Sequence, residues 1–203
     1  MATNIQQVDI WFDPICPFAW ITSRWLVSAS KVRDIEVRWN IMSLAYLNKD
    51  RELDAAHTES MGRSWGAVRL IAAVREKHGN EAVGALYAAL GERIHLNKEK
   101  LSDELLIAAL AAAGLPAELI VDAGDERWNV PMIASHDRAI AMVGNDVGTP
   151  VIAIGEAAFF GPVISPAPTG EQAGRLWDGL ALCLEVPGFY ELKRARKRAP
   201  NFS

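Results

Sequence analysis

The first 42 residues carry two strand patterns separated by one helical pattern, and this order constrains the fold more than any other feature of the sequence. Apolar residues alternate over 5–12 and again over 35–41, as they do in strands with one covered face. Between these stretches, apolar side chains recur at helical spacing from residue 16 to about residue 32. Strands joined through a helix are parallel, and such crossovers are right-handed in nearly all known cases. The sequence therefore predicts a β-α-β unit.

Cys16 follows the turn-forming dipeptide Asp13-Pro14 and stands at the predicted start of the helix. The unpaired N–H groups and the positive dipole at a helix N-terminus favour a thiolate, by up to about 2 kcal/mol. We therefore expect the pKa of the Cys16 thiol to lie below the ordinary value of about 8.5, which makes this residue a candidate nucleophile. The alternative is a buried structural cysteine, a common state of free cysteines.

Residues 50–144 show helical patterns only. An apolar stripe that starts near Met61 is expected to end at Gly79, after which Asn80 is expected to cap the next helix. Three more helices are expected: one over 102–114, one with Pro116 in its first turn, and one over about 130–144. We expect these helices to cover a site on the β-α-β unit, with packing for stability alone as the alternative.

After Gly144 the pattern returns to strands. Residues 151–154 and 158–160 predict a short hairpin. Thr169 followed by Gln172 is a capping-box pattern, which predicts that a helix begins there. Cys183 continues the apolar stripe of this last helix, so we expect it to pack in the core.

The order of elements is thus β-α-β, then helices, then α-β-β-α. This order predicts an α/β protein with a thioredoxin-like fold, in which a helical subdomain is inserted between the β-α-β and β-β-α halves. We expect residues 1–49 and 145–203 to form the thioredoxin-like domain and residues 50–144 to form the helical insertion.

Composition narrows the functional classes. The formal net charge of −4 does not favour nucleic acid or an anionic membrane surface as a partner. Two cysteines are too few for a disulfide framework, which fits a reducing cytoplasm. Residues 1–7 lack the basic and apolar regions of a signal peptide, and no apolar run reaches the ~20 residues of a membrane span. We therefore expect a cytoplasmic protein.

The histidines and the basic residues near the C-terminus show no binding pattern. The histidines have no metal-ligand spacing, so we predict no metal site, and the absence of a GxGxxG motif argues against a nucleotide cofactor. Surface or capping roles are expected for the histidines, and a general-base role for one of them near Cys16 stays open. The residues concerned are His57, His78, His95 and His136. The basic cluster over 193–198 is expected on a solvated helix face.

Aromatic residues surround the cysteine in sequence. We expect Trp11 and Trp25 to belong to the core. Phe18 and Trp20 are the better candidates for lining an apolar substrate pocket, because they flank Cys16 closely.

The motifs together resemble those of the DsbA-like thioredoxin-fold oxidoreductases, most closely the actinobacterial mycothiol-dependent reductases with nitroreductase-like activity. The resemblance rests on Trp11 to Pro17, Ala19 to Trp25, Val32 to Val37, Asp146 to Pro150, Phe159 to Val163, and the region of Lys193. It implies that Cys16 is the nucleophile and that Thr149-Pro150 is a cis-proline loop facing it. The residues implied to bind the substrate or thiol are Asp13, Pro14, Pro17, Phe18, Trp20, Gly148, Thr149 and Pro150. It also implies mycothiol or a similar low-molecular-weight thiol as co-substrate, with no bound cofactor.

The sequence departs from that family pattern beside the cysteine. Ala19 stands where the family has a second cysteine, and Phe18 stands where tryptophan is usual. Cys16 therefore cannot close a disulfide with this neighbour, and a mixed disulfide on it must be resolved by another thiol. We expect a monothiol cycle on a small-molecule or disulfide substrate, in a monomer or homodimer. The alternatives are an isomerase or transferase of the kappa-class type, which activates a bound thiol, and a redox-inactive binding module.

Overall fold

Four strands form one mixed sheet in the computed structural model, which describes residues 5–52 and 55–202 apart from the side chains of residues 55–58 and 60. The strands are β1 (Gln6–Phe12), β2 (Ile35–Ile41), β3 (Val151–Ile154) and β4 (Ala157–Phe160), in the spatial order β2-β1-β3-β4. β1 and β2 are parallel, with Gln6 opposite Ile35 and Phe12 opposite Ile41. β3 is antiparallel to both β1 and β4. The predicted β-α-β unit and the predicted hairpin are therefore confirmed.

Helices account for most of the remaining described chain. They are α1 (Pro17–Ala29), α2 (Leu44–Leu47), α3 (Ala55–Gly91), α4 (Asp103–Ala112), α5 (Asn129–Val143) and α6 (Gly170–Leu184). A π-helical turn, Glu92–Leu96, follows α3, and two 3₁₀ segments, Ala117–Gly124 and Glu126–Trp128, precede α5.

Successive residues of β1 point to opposite faces of the sheet, and Ile10, Trp11 and Phe12 are all buried. Both faces of the sheet are therefore covered by helices. Phe12 faces α3, where its ring stacks on Tyr87 with 3.7 Å between ring centroids. On the same side, Trp25 of α1 is fully buried and donates through Nε1 to the carbonyl of Ala173 in α6, at 3.0 Å. Trp11 points to the other face and donates through Nε1 to the carbonyl of Ser135 in α5, at 2.9 Å. The core positions predicted for Trp11 and Trp25 are therefore confirmed.

The junction at Gly79 differs from the prediction in one respect. Gly79 interrupts α3 with φ 82°, in the left-handed region that favours glycine, at the position predicted to end a helix. Asn80 does not cap the following helix. Its side-chain amide accepts from the N–H of Trp39 at 2.7 Å and donates to the carbonyl of Val37 at 2.9 Å. These backbone groups lie on the outer edge of β2, where no neighbouring strand of the described sheet pairs with them. The Asn80 side chain therefore satisfies the edge of the sheet instead of capping the helix.

Other helix boundaries also differ. α1 ends at Ala29 rather than near residue 32, and Pro116 precedes a 3₁₀ segment rather than an α-helix. α6 begins at Gly170 as predicted, but the Thr169 side chain makes no capping bond. Gly170 has φ +54°, and its N–H donates to Ser28 Oγ of α1 at 2.9 Å, so a tertiary contact satisfies this helix end.

The end of the chain is not helical. Residues 187–202, named here the C-terminal segment, form neither helix nor strand, so the basic cluster over 193–198 lies on an extended segment and not on a helix face. Pro187 and Gly188 follow α6 closely, and both residues disfavour a helix. Cys183 is half-buried, so the prediction that it packs in the core is confirmed only in part.

Among the described residues, none of the helices is both long and apolar enough to cross a membrane. The division into a thioredoxin-like domain, 1–49 with 145–203, and an insertion, 50–144, stays a prediction.

Candidate active site

Cys16 is the N-cap residue of α1, and Pro17 occupies the first helical position. Proline suits that position because its missing N–H is one that the helix leaves unpaired anyway. The backbone N–H of Ala19 donates to Sγ of Cys16 at 3.4 Å, as a capping contact does. The side chain is 8% exposed, so the sulfur lies just below the surface.

The loop before β3 faces the sulfur. Sγ of Cys16 donates to the carbonyl oxygen of Thr149 at 3.4 Å, and the Thr149–Pro150 peptide bond is cis. The carbonyl of Pro150 accepts from the N–H of Gly161 at 2.7 Å, which ties this loop to the end of β4. Gly148 lies beside Leu44 of α2. The fold therefore brings Cys16 and Thr149 together across 133 residues of sequence.

Asp13 connects the cysteine loop to α2. Its carboxylate is fully buried, and it accepts from the N–H of Ile15 at 3.0 Å and from the N–H of Leu44 at 2.7 Å. Burial raises the pKa of Asp13 to about 6, and these two hydrogen bonds oppose the rise. Asp13 is therefore a positioning residue, which fixes the backbone just before Cys16.

The prediction that the pKa of the Cys16 thiol is lowered is wrong. Burial raises the pKa of the Cys16 thiol above its ordinary value, and the nearby Asp13 charge adds to the rise. The side chain of Thr149 and the backbone N–H of Ala19 lower the pKa by less. The N–H groups at the helix start favour the thiolate, but the loss of hydration outweighs them, so burial favours the neutral thiol.

His95 lies under the cysteine loop, which contradicts the expected surface or capping role. It is 5% exposed, and its Nε2 lies 2.9 Å from the carbonyl oxygen of Pro14. Because a carbonyl only accepts, Nε2 carries the proton in this contact. Burial lowers the pKa of His95 to about 4, so the ring is neutral at physiological pH. Its ring also stacks on Trp20 and on Phe202, with centroid distances of 6.0 and 5.7 Å.

The remaining histidines divide between the surface and the interior. His136 is buried and packs edge-on against Tyr46, so its expected surface or capping role is also wrong. His78 is exposed, as expected, and the side chain of His57 lies outside the described residues. No cluster of three or more potential metal ligands occurs among the described residues.

The two aromatic candidates have different positions. Phe18 is half-buried beside Cys16, and the guanidinium of Arg196 lies 5.1 Å from its ring centroid. Trp20 is 5% exposed and packs against Tyr87, His95 and the backbone of Gly91. Phe18 therefore lies at the surface beside the cysteine, whereas Trp20 lies in the core beneath it.

Sequence reasoning missed the contribution of the C-terminal segment. Phe202 stacks on His95, the N–H of Asn201 donates to Ser165 Oγ at 2.7 Å, and Lys98 lies over the Phe202 ring. These contacts bring the last described residues to the support of the cysteine loop. The only local signal was Phe202 itself, an apolar residue in a basic and polar tail.

Comparison with known proteins finds one similar sequence and several similar structures. An uncharacterized protein of Mycobacterium tuberculosis (strain ATCC 25618 / H37Rv), Rv2286c, is 29% identical over 197 residues, which cover 95% of this chain and 83% of that protein. The crystal structure of the probable DsbA oxidoreductase SCO1869 from Streptomyces coelicolor has a TM-score of 0.60 at 18% identity, covering 96% of this chain and 95% of that one. A 2-hydroxychromene-2-carboxylate isomerase also has a TM-score of 0.60, at 13% identity, covering 88% of this chain and 97% of that one.

The likeness to these structures confirms the predicted DsbA-like, thioredoxin-like α/β fold. Because that fold serves both an oxidoreductase and an isomerase, the fold does not decide the reaction. Residues 15–194 match the family described as "Rv2466c-like: Mycothiol-dependent nitroreductase Rv2466c", and this match covers most of the chain, including Cys16 and the Thr149-Pro150 loop. The function class of the family is thiol-dependent redox chemistry. The chain belongs to the Rv2466c-like family of mycothiol-dependent nitroreductases.

Proposed function

We propose that the protein is a cytoplasmic thiol-dependent oxidoreductase in which Cys16 is the sole nucleophile and mycothiol, or a similar thiol, is the electron donor. The observation that carries the proposal is the surroundings of Sγ. The sulfur sits at a helix start opposite Thr149, and Ala19 offers it only a backbone N–H. The second cysteine of the chain, Cys183, belongs to α6, and both cysteines are free.

The proposed cycle uses two exchange steps. In the first, the Cys16 sulfur attacks a disulfide, the Cys16 S–S bond forms as the substrate S–S bond breaks, and the leaving sulfur takes up the proton that Cys16 loses. In the second, a thiol molecule attacks the mixed disulfide and releases Cys16 in its thiol form. When the attacked disulfide joins a substrate sulfur to the thiol co-substrate and Cys16 takes up the co-substrate half, the two steps release one substrate thiol. The bound co-substrate half and the second thiol molecule leave together as the co-substrate disulfide.

The residues around the sulfur have distinct proposed roles. Thr149, whose carbonyl contacts Sγ, and its neighbour Pro150 are proposed to contact the thiol or the substrate, together with Phe18. The other residues implied by the family resemblance are proposed to position the loop: Asp13, Pro14, Pro17, Trp20 and Gly148. The neutral state of Cys16 is proposed to limit its reaction with oxidants until a partner is bound, because the thiolate is the attacking form.

A second candidate function is that of an isomerase or transferase that activates a bound thiol without changing its own redox state. The raised pKa of the Cys16 thiol favours this candidate, because a neutral thiol can hydrogen-bond to a bound thiolate. In that case Cys16 is a binding group and not a nucleophile.

Turnover of a simple disulfide separates the candidates. The assay measures mycothiol-dependent reduction of bis(2-hydroxyethyl) disulfide by the full chain and by the variants Cys16→Ser and Cys183→Ser. We expect Cys16→Ser to lose at least about 100-fold in turnover, because a serine hydroxyl forms no mixed disulfide, and Cys183→Ser to keep it. Thiol-dependent turnover that survives in a folded Cys16→Ser variant would favour the isomerase or transferase candidate.

A further inference from the structure

Two aromatic contacts hold the C-terminal segment near its ends. At the start, Phe189 packs edge-on against Phe159 of β4, with 5.6 Å between ring centroids. At the end, Phe202 stacks on His95, with 5.7 Å between ring centroids. The residues between these contacts, 190–200, are named here the basic stretch. The basic stretch is therefore attached to the body of the protein on both sides, although it forms neither helix nor strand.

The basic stretch passes the cysteine. The guanidinium of Arg196 lies 5.1 Å from the ring centroid of Phe18. Phe18 is the second residue of α1, and Cys16 is the N-cap residue of the same helix. A cation of the basic stretch therefore lies next to the helix turn that holds the sulfur.

The charge of the basic stretch is opposite to that of the rest of the protein. The stretch holds five cations within six positions and one carboxylate, Glu191. The whole chain has a formal net charge of −4 and the stretch contributes +4, so the remainder carries −8. Residues 191–199 are all exposed. The five cations are Lys193, Arg194, Arg196, Lys197 and Arg198. The positive charge is therefore local and faces solvent.

Neither the side chains nor the backbone of the basic stretch is paired. In the described part of the chain, no carboxylate forms an ion pair with any of the five cations. No backbone–backbone hydrogen bond among the described residues involves 190–200. An extended peptide can bond to free backbone groups of this kind while its side chains meet the charges. The stretch therefore offers both main-chain and charge contacts to a polypeptide.

Two more cations lie near the cysteine loop. Lys100 lines the groove beside Ile15, the residue before Cys16, and Lys98 stands two positions earlier than Lys100. Neither lysine has a carboxylate partner within residues 5–52 and 55–202, whereas Glu99 between them is paired with an arginine at 3.0 Å. Cations from two separate parts of the chain therefore favour an anionic partner at the cysteine.

We propose that Cys16 acts on the disulfide of an acidic polypeptide segment, which the basic stretch attracts and aligns beside the sulfur. The inference rests on the proposed function for the exchange chemistry and adds the class of substrate to it. A polypeptide fits better than a compact anion, because six residues of extended chain span roughly 20 Å. A nucleic acid fits less well, because the net charge of −8 on the remainder repels a long polyanion.

Binding of a peptide without cysteine tests the basic stretch apart from the redox step. A fluorescent, glutamate-rich peptide with serine in place of cysteine is titrated into the full chain, and fluorescence anisotropy measures its Kd. We expect Arg196→Gln/Arg198→Gln to weaken binding about three- to tenfold, because two exposed charge contacts are lost. Added salt is expected to weaken binding to the wild type, because it screens exposed charges.

A double variant at the far end of α1 is the matched control. Lys31→Gln/Arg175→Gln removes the same charge from two exposed positions. Lys31 follows the C-cap of the 13-residue helix α1, roughly 20 Å from Cys16. Arg175 lies on α6, whose first residue contacts Ser28 near that same end. We expect this control to bind the acidic peptide within about twofold of the wild type, because long-range charge effects are screened.

Turnover of matched disulfides tests selection at Cys16. Three peptides of one length carry a single cysteine joined to mycothiol, and they differ only in whether glutamate, glutamine or lysine flanks it. Mass spectrometry measures the rate at which mycothiol and the enzyme release each peptide thiol. We expect the glutamate peptide to react at least about tenfold faster than the lysine peptide at low salt, and the Arg196→Gln/Arg198→Gln variant to lose most of that difference.

The two assays separate failure of the substrate class from failure of the proposed function. Binding of the acidic peptide without turnover of any disulfide supports the docking surface and overturns the proposed function. Turnover of all three peptides at equal rates overturns the substrate class and leaves the proposed function standing. Equal binding of the acidic peptide by wild type and a folded Arg196→Gln/Arg198→Gln variant also overturns the substrate class. Tighter binding of a single-stranded oligonucleotide than of the acidic peptide overturns it too, because that result identifies a nucleic acid as the partner.

Discussion

The buried carboxylate of Asp13 connects the cysteine loop to the start of α2. Its carboxylate accepts from the N–H groups of Ile15 and Leu44, and it is completely removed from solvent. The same residue raises the pKa of Cys16 through its charge. The geometry of the cysteine loop and the acidity of the cysteine therefore both depend on this carboxyl group.

The buried carboxyl group predicts an unusual dependence of stability on pH. The pKa of Asp13 is raised from 3.8 to about 6, so the folded state binds a proton more tightly than the unfolded state. Stability from this group is thus fully present below about pH 4 and declines as the pH rises to about 6. Relative to Asp13→Asn, which does not titrate, we expect the wild-type free energy of unfolding to fall by about 2 kcal/mol between pH 4 and pH 7.

Urea denaturation of both proteins across that range measures this difference. Asp13→Asn is also expected to be less stable at pH 4, because an amide offers one acceptor oxygen to two N–H donors. The raised pKa of Asp13 is contradicted if the difference in free energy of unfolding between wild type and variant stays constant from pH 4 to pH 7. It is also contradicted if the wild type gains stability over the variant as the pH rises.

At the scale of elements, the C-terminal segment forms part of the support of the site. Arg196 lies over Phe18 beside the cysteine, while Phe202 stacks on His95, which in turn contacts the carbonyl of Pro14. The cysteine loop is therefore held by the segment after α6 as well as by the π-helical turn that follows α3.

Removal of the Phe202 ring tests this support. We expect Phe202→Ala to lower the free energy of unfolding by about 1–2 kcal/mol, because a half-buried aromatic contact with His95 is lost. Tyr190→Ala is the matched control in the same segment, since Tyr190 is 84% exposed, and its expected change is within about 0.5 kcal/mol. Thermal unfolding measures both variants, and equal melting temperatures for wild type and Phe202→Ala contradict the supporting role.

At the scale of the molecule, local sequence patterns account for the framework but not for the environment of the sulfur. The strands, the first helix and Cys16 at its start follow from periodicity and turn residues, which act over a few neighbours. His95 reaches Pro14 across 81 residues, and Asn80 reaches the edge of β2 across 41, so no local pattern indicates either contact. The pKa direction of Cys16 was missed for the same reason, because burial is a property of the whole fold.

Ala19 is the residue at which this chain departs from the two-cysteine pattern. Its backbone N–H still contacts Sγ, so the capping geometry at the helix start is present without a second thiol. The proposed cycle therefore requires that Cys16 alone forms and releases a mixed disulfide with the thiol co-substrate.

Intact-protein mass spectrometry after exposure to oxidised mycothiol tests that claim most directly. We predict one mycothiol adduct on wild type and on Cys183→Ser, none on Cys16→Ser, and release of the adduct when reduced mycothiol is added. Folded wild-type protein that takes up no adduct, or an adduct that persists in Cys16→Ser, would contradict the account.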